Sequence, residues 1–393
     1  MKEKPHEDLP SELRQYMENI AKSEGFISYE IVGKKLPITG GGYMGILYEV
    51  NIQGKTNEGD KELNIFIKNI VENEQMKIYS VQKVFEREAI VYTDVFKIFE
   101  ELQDKAKIPL NERFLMPKSY EGCNPKSIIL EHLGKRGFKV YDRMETISLD
   151  YAKLCLTQLG KFHALSFVLQ AERPEYFKEK IATMKQPFKF EDDWHGFVKN
   201  MYNYSINCLE PDVRDKVGER ILEKVADYPK YMNDISGVCT LCHGDFKHNN
   251  VMAKEIDAKV KEVIAIDFQI AHYGSPILDF LYFIFNGTDK DFRQKHLVYL
   301  KDLYYDSMKN FLEFFGMDIE KVFQRMEFER VFKEKMDFGL MINVFYVPFL
   351  FAADEDAPDV ANESLSTLSF KVDDRFKERF RGIVDDFIQW GYI

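Results

Sequence analysis

Between residues 241 and 280 the chain places His243, Asp245, Asn250 and Asp267 around two short apolar runs. Asp245 is followed five positions later by Asn250, and the second run ends in Asp267. Those side-chain types in that order suit phosphoryl transfer. Asp245 would orient a hydroxyl and accept its proton, while the Asn250 carbonyl and the Asp267 carboxylate hold Mg2+ against the phosphates of a nucleotide, ATP. His243 would brace the loop. Residues 251–253 and 263–266 read as strands joined by a charged turn over 254–262, and such a hairpin brings Asn250 and Asp267 to the same end.

The elements that must position this chemistry can be followed along the chain. Residues 11–24 read as an amphipathic helix with Ser11 at its N-cap, packed on a small lobe, and lead into a strand near 29–32. Gly40, Gly41 and Gly42, with Gly45 just beyond, would let backbone amides approach phosphate oxygens that a side chain would keep away. Ile46, Tyr48, Val50 and Ile52 then share one strand face. After a polar turn over 53–62, a second strand over 63–70 carries Lys68 on the face of Phe66 and Ile70.

Val81, Val84, Phe85, Tyr92, Val95, Phe96 and Phe99 recur at helical spacing, and Glu88 stands in the middle of that stripe. A carboxylate there is costly unless paired, so Glu88 is matched to Lys68, giving an ion pair that positions nucleotide phosphates. Residues 127–130 form a strand running into a hinge at 131–134. The following helix, 149–169, carries His163 on its buried face, where a hydrogen-bonded core histidine is expected. Ser275 and Pro276 read as N-cap and first residue of a buried helix over 276–285, with Asp279 in its first turn bracing the catalytic loop. Asp337-Phe338-Gly339 spells a metal-binding triplet, but it follows a charged segment instead of a strand, and we give it no metal role.

His243-Gly244-Asp245, Asn249-Asn250, Ile266-Asp267-Phe268-Gln269 and Gly274-Ser275-Pro276-x-x-Asp279 together resemble the ecdysteroid kinase-like family of insects. That family lies in the choline kinase-like and aminoglycoside phosphotransferase branch of the protein-kinase fold. The resemblance extends through residues 129–133, Gly137-Phe138, residues 161–166 and Trp390-Gly391-Tyr392, nearly the whole chain. It implies an α+β, two-lobed, protein-kinase-like fold, with an antiparallel-sheet small lobe over 1–133 and a mainly helical large lobe over 134–393. It also implies Glu131 and Leu133 as backbone contacts of an adenine ring, an ecdysteroid or similar hydrophobic alcohol as acceptor, and a place in steroid metabolism or detoxification. The chain departs from the family in two places. Its glycine loop lacks the usual Asn-Tyr-x-Ser, with Glu49 where a basic residue is common, and Lys247 replaces a usual Trp. Lys247 either neutralises charge on the transferring phosphoryl group or points to solvent.

The chain has 393 residues, with 65 acidic against 54 basic side chains and a formal net charge of −11, which argues against nucleic acid or an anionic membrane as partner. The N-terminus is too charged for a secretory signal and the five cysteines form no disulfide framework, so a cytoplasmic protein is expected. Cys239 and Cys242 read as ordinary thiols. The apolar run 338–353 falls short of the ~20 residues a membrane span needs and contains Pro348, so it reads as a buried helix without membrane insertion. Three other functions are open: a kinase for a cationic small molecule such as choline or an aminoglycoside, a pseudokinase that binds without turnover, and a metallohydrolase built on His243, Asp245 and Asp267.

Overall fold

The computed structural model describes residues 9–37, 45–71, 79–353 and 367–393. Strands β1 (Phe26–Lys35), β2 (Ile46–Thr56), β3 (Gly59–Asn69) and β4 (Ser127–Glu131) form one antiparallel sheet in chain order. Alternation along the strands sets its two faces. Val50, Ile52, Ile65, Ile67 and Ile129 lie on one, where the helix Ser11–Ser23 covers them with Leu13, Met17 and Ile20. The other face carries Lys68, Ile128 and Leu130 toward Val84 and Phe85 of the helix Val81–Ile90.

Several boundaries differ from expectation. The N-cap of the first helix is Pro10, and Ser11 is its first helical residue, making no capping bond. The strand expected near 29–32 is the middle of the ten-residue β1. The turn expected over 53–62 is only Asn57 and Glu58, because β2 and β3 stay paired out to Thr56 and Gly59. Polar residues at a hairpin tip need not leave the ladder when their side chains reach solvent.

The helix Val81–Ile90 is capped by the Ser80 hydroxyl and continues through a π-turn, Val91–Val95, into Phe96–Lys105. The large lobe is mainly helical around two small sheets. β5 (Phe138–Lys139), β7 (Val251–Ile256) and β8 (Lys259–Ala265) make one; β6 (Thr240–Cys242) and β9 (His272–Gly274) make the other. Asp257 and Ala258, both with positive φ, close β7 onto β8, so this hairpin turn is also tighter than expected.

Helix Leu149–Glu172 packs against Lys290–Glu313, and Gly160 permits the approach: a Cβ there would lie 3.0 Å from the Tyr304 carbonyl oxygen. The apolar run 338–353 is buried but is not one helix. It divides into Asp337–Phe345 and Val347–Leu350, since Pro348 lacks the N–H that a continuous helix would use. Pro276 opens the buried helix Pro276–Gly287 as expected, yet the Ser275 side chain at the cap position makes no capping bond. No helix among the described residues is long and apolar enough to cross a membrane. The architecture is the expected α+β one, an antiparallel small lobe joined to a mainly helical large lobe.

Candidate active site

The two lobes meet at Lys68. Its position on β3 turns the ammonium to the inner face of the sheet, where Nζ donates to Glu88 Oε2 at 2.9 Å, Asp267 Oδ1 at 2.9 Å and Gln269 Oε1 at 3.1 Å. All three N–H groups of the ammonium are thereby used. Burial works against the charge on Lys68, but Asp267 and Glu88 outweigh it and hold the ammonium above its ordinary pKa. Burial pushes the Glu88 carboxyl up, opposed by Lys68. It would raise Asp267 as well, yet there the adjacent ammonium wins and the pKa is lowered. The pairing of Lys68 with Glu88 is therefore as expected. Gln269, which the sequence showed only as part of a motif, is a third partner of the lysine.

The catalytic loop follows β6. Gly244 takes a φ of +82°, and a Cβ there would sit 2.3 Å from the Ile270 carbonyl oxygen, so only glycine fits this bend. The Asp279 carboxylate accepts the backbone N–H groups of His243 at 2.6 Å and Gly244 at 2.8 Å. His163 joins Asp279 through Nε2 at 3.1 Å and the Tyr304 hydroxyl through Nδ1 at 2.6 Å. Both expectations for these residues hold: Asp279 braces the loop, and His163 is a bonded core histidine. Burial tends to raise Asp279, but its bonds to His163 and the loop hold the pKa below the usual value. His163, Cys242 and Asp279 are also the one grouping with metal-ligand types among the described residues. Their histidine and carboxylate atoms are already committed to the brace, and Cys242 donates to the Gly274 carbonyl.

His243 packs on Phe268, with ring centroids 4.3 Å apart, and its Nε2 lies 3.0 Å from the Ile266 carbonyl. The loop histidine thus ties the Asp245 loop to the Asp267 loop. A short 3-10 turn, His248–Asn250, returns the chain to β7. The Ile266 N–H donates to the Asn250 carbonyl at 2.9 Å, so Asn250 and Asp267 emerge at the same end of the β7–β8 hairpin.

Asp245 is buried, and its two oxygens differ. Oδ2 accepts from Lys247 Nζ at 2.6 Å and from Asn250 Nδ2 at 2.9 Å. Oδ1 is buried and meets no donor in hydrogen-bonding position, with the Tyr282 phenol a further side chain interacting with this carboxylate. A bare carboxylate oxygen is costly to keep out of water and is suited to receive a hydroxyl. Because Asn250 turns Nδ2 toward Asp245, its side-chain carbonyl points away from that carboxylate. The donor set of one amide oxygen and the Asp267 carboxylate fits Mg2+. Lys247 does not point to solvent: its ammonium pairs with Asp245 and lies 5.7 Å from the Tyr346 ring centroid. Tyr346 in turn contacts Tyr282, and burial together with the Asp245 charge raises both phenols.

Other expected residues fall around this centre. Glu131 ends β4; its carboxylate accepts the Lys118 N–H and pairs with Arg136, and its own N–H donates to the Lys118 carbonyl at 2.9 Å. Leu133 is buried against Phe138 and Ile264. Glu49 pairs with Lys135, tying β2 to the hinge. Gly40, Gly41 and Gly42 lie outside the described residues, while Gly45 stands at φ +99° beside the Asn69 carbonyl. Asp337 is paired with Lys224 at the start of a helix and takes no part in the Lys68 and Asp245 clusters. Tyr92 was legible only as a stripe residue, yet its hydroxyl accepts the Asp267 N–H at 3.0 Å. Nothing in the periodicity marks that bond.

A buried lysine–glutamate pair reaching from a small antiparallel lobe to a helix-braced aspartate loop defines a kinase-type phosphotransferase acting on hydroxyl acceptors. The chain belongs to the ecdysteroid kinase-like family, whose model matches residues 39–317. No curated protein matches it. Among solved structures it is similar to choline kinase LicA from Streptococcus pneumoniae, at 14% identity over 84% of this chain and 99% of that one, with a TM-score of 0.37. Aminoglycoside phosphotransferase APH(3'')-Id from Streptomyces rimosus matches at 11% identity over 84% and 98%, TM-score 0.33. Amicoumacin kinase hAmiN, in complex with AMP-PNP and Ca2+, matches at 11% over 84% and 96%, TM-score 0.38.

Proposed function

We propose that this protein transfers the terminal phosphoryl group of ATP to a hydroxyl of a neutral, hydrophobic alcohol, an ecdysteroid or a related polyol. The observation that carries the reading is the unpartnered Oδ1 of Asp245, beside an Oδ2 already held by Lys247 and Asn250. Oδ1 orients the acceptor hydroxyl and takes its proton as the oxygen attacks the terminal phosphorus. The bond from that phosphorus to the bridging oxygen of ADP breaks, so ADP leaves with the electron pair. Mg2+, when bound, supplies charge neutralisation at the phosphates. The Asn250 carbonyl and the Asp267 carboxylate would hold it. Lys68 would exchange its bonds to Asp267 and Gln269 for phosphate oxygens, with the bond to Glu88 fixing its direction. Gly40, Gly41 and Gly42 are assigned to the phosphate side by their composition alone. Glu131 and Leu133 offer backbone groups to the adenine, over a floor of Leu133, Phe138 and Ile264. Residues 1–133 then carry the nucleotide side of the site, and 134–393 the catalytic loop and acceptor pocket.

Lys247 bears on which acceptor fits. Its ammonium already occupies the face of Tyr346 and one oxygen of Asp245, so a cationic acceptor entering there would meet like charge. An uncharged, rigid polyol would instead be held by apolar contacts, with a few polar groups choosing the hydroxyl. All five cysteines are free thiols, which supports a reducing, cytoplasmic setting. The test is a panel of ecdysteroids, other hydroxylated terpenoids, choline and aminoglycosides incubated with Mg-ATP and read by mass spectrometry. Phosphate addition to at least one steroid alcohol, with choline and aminoglycosides turned over poorly, is expected. Efficient turnover of choline with none of the steroids would reverse the acceptor assignment.

A further inference from the structure

Among the described residues Asp267 is one of four non-glycine residues with positive φ, at +69°, a conformation that L side chains rarely adopt. Two bonds hold it here. Lys68 donates to the carboxylate, and the backbone N–H donates to the Tyr92 hydroxyl at 3.0 Å. The first bond is made by the same carboxylate that the proposed function turns toward a cation. The second acts on the backbone and does not compete with that task.

Tyr92 is fixed from several sides. It lies in the π-turn, where the Phe96 N–H reaches back five residues to the Val91 carbonyl. The Tyr92 carbonyl accepts from the Ser119 hydroxyl at 3.0 Å. Its ring meets Phe96 and Phe268 edge-on, with centroids 5.6 and 5.7 Å apart. Single π-turns inside helices recur at functional sites, since the extra residue re-aims a side chain. Here the result is that one helical rod holds Lys68 through Glu88 and, one turn later, holds Asp267 through Tyr92.

We propose that Tyr92 is a positioning residue: its hydroxyl keeps Asp267 in the left-handed conformation that presents the carboxylate to the metal, and so couples the Glu88 helix to metal affinity. This rests on the assignment of Asp267 as a metal ligand. Tyr92→Phe removes the hydroxyl and keeps the ring. Bonds that orient a metal ligand without touching the metal commonly govern about 10–100-fold in affinity.

The test is thermal shift of the full chain with a non-hydrolysable ATP analogue, titrated with Mg2+ and repeated without metal. Tyr92→Phe should weaken half-saturation by Mg2+ about tenfold or more and leave the metal-free nucleotide shift unchanged. Phe96→Leu, which loosens the same ring cluster without touching the hydroxyl, should lower the unfolding midpoint and leave the Mg2+ titration in place. Asp267→Ala, run in parallel, should abolish the Mg2+-dependent shift. An unchanged Mg2+ titration in Tyr92→Phe, with Asp267→Ala losing its own, would overturn the inference alone. So would equal weakening by Phe96→Leu, which would make the effect one of packing. A full Mg2+ response in Asp267→Ala would instead overturn the metal assignment, and the inference with it.

Discussion

Lys247 is held where a charge can serve the reaction, 2.6 Å from Asp245 Oδ2 and largely out of solvent. Its pairing occupies Oδ2 and leaves Oδ1 open, and under the proposed function its ammonium would neutralise charge gathered on the transferring group. Removing one such electrostatic donor commonly costs ~10²–10³ in kcat. Lys247→Ala should therefore lower kcat by about 10²-fold with little change in KM for ATP, measured by steady-state kinetics. An unchanged kcat would mean that the lysine only packs. The same scale separates two aspartates that look alike in sequence. Asp267 follows a buried strand and meets Lys68, whereas Asp337 opens a helix and meets Lys224. Asp267→Ala should abolish Mg2+-dependent turnover, while Asp337→Ala should affect activity only through stability. Equal loss in two folded variants would contradict that division.

At the scale of elements, the buried helix Pro276–Gly287 governs the loop that carries Asp245. Asp279 in its first turn accepts two loop N–H groups and a histidine at once. An asparagine there has one acceptor oxygen and an amide that would face a donor, leaving at least one buried bond unmade. The cost should be about 1–3 kcal/mol. Asp279→Asn is expected to show it in urea denaturation, together with a fall in kcat that exceeds any rise in KM for ATP. Much of this element was legible. Pro276 announced the helix start, and an acid in a first turn is favoured there whatever its partners. Asp245, Asn250 and Asp267 were legible for a similar reason, since a single hairpin joins them and its pattern is local. Lys68 and Glu88 could be matched because a charge on an apolar face demands a partner. Tyr92 and Gln269 could not be found that way. Their bonds span 175 and 201 residues, and a tyrosine in an apolar stripe satisfies the core pattern without its hydroxyl. The π-turn and the break at Pro348 also escape a 3.6-residue period.

Across the whole molecule, burial is what makes the site responsive to acid. It holds His243, His248 and His272 below the usual histidine pKa, His248 at about 4. A histidine whose folded pKa lies below its unfolded value binds its proton more readily when unfolded. Its contribution to stability is then complete above the unfolded pKa of about 6.5 and is lost as pH falls toward 4. For His248 that amounts to about 3 kcal/mol. Urea denaturation between pH 7 and pH 4.5 should show stability falling with acid, with a shallower slope in His248→Gln, which keeps a donor for the Asp142 and Arg143 carbonyls. An identical slope would place the acid sensitivity elsewhere. The central claim is that the two lobes close a phosphoryl-transfer site on Asp245. It is tested most directly by following the terminal phosphate of ATP into a steroid alcohol with wild type and Asp245→Asn, with Mg-nucleotide binding measured on both. The account predicts transfer by the wild type and a loss of ~10²–10⁴ in rate for the variant, with nucleotide binding retained. Transfer at equal rates, or none by a wild type that binds Mg-ATP in the presence of the full acceptor panel, would contradict it.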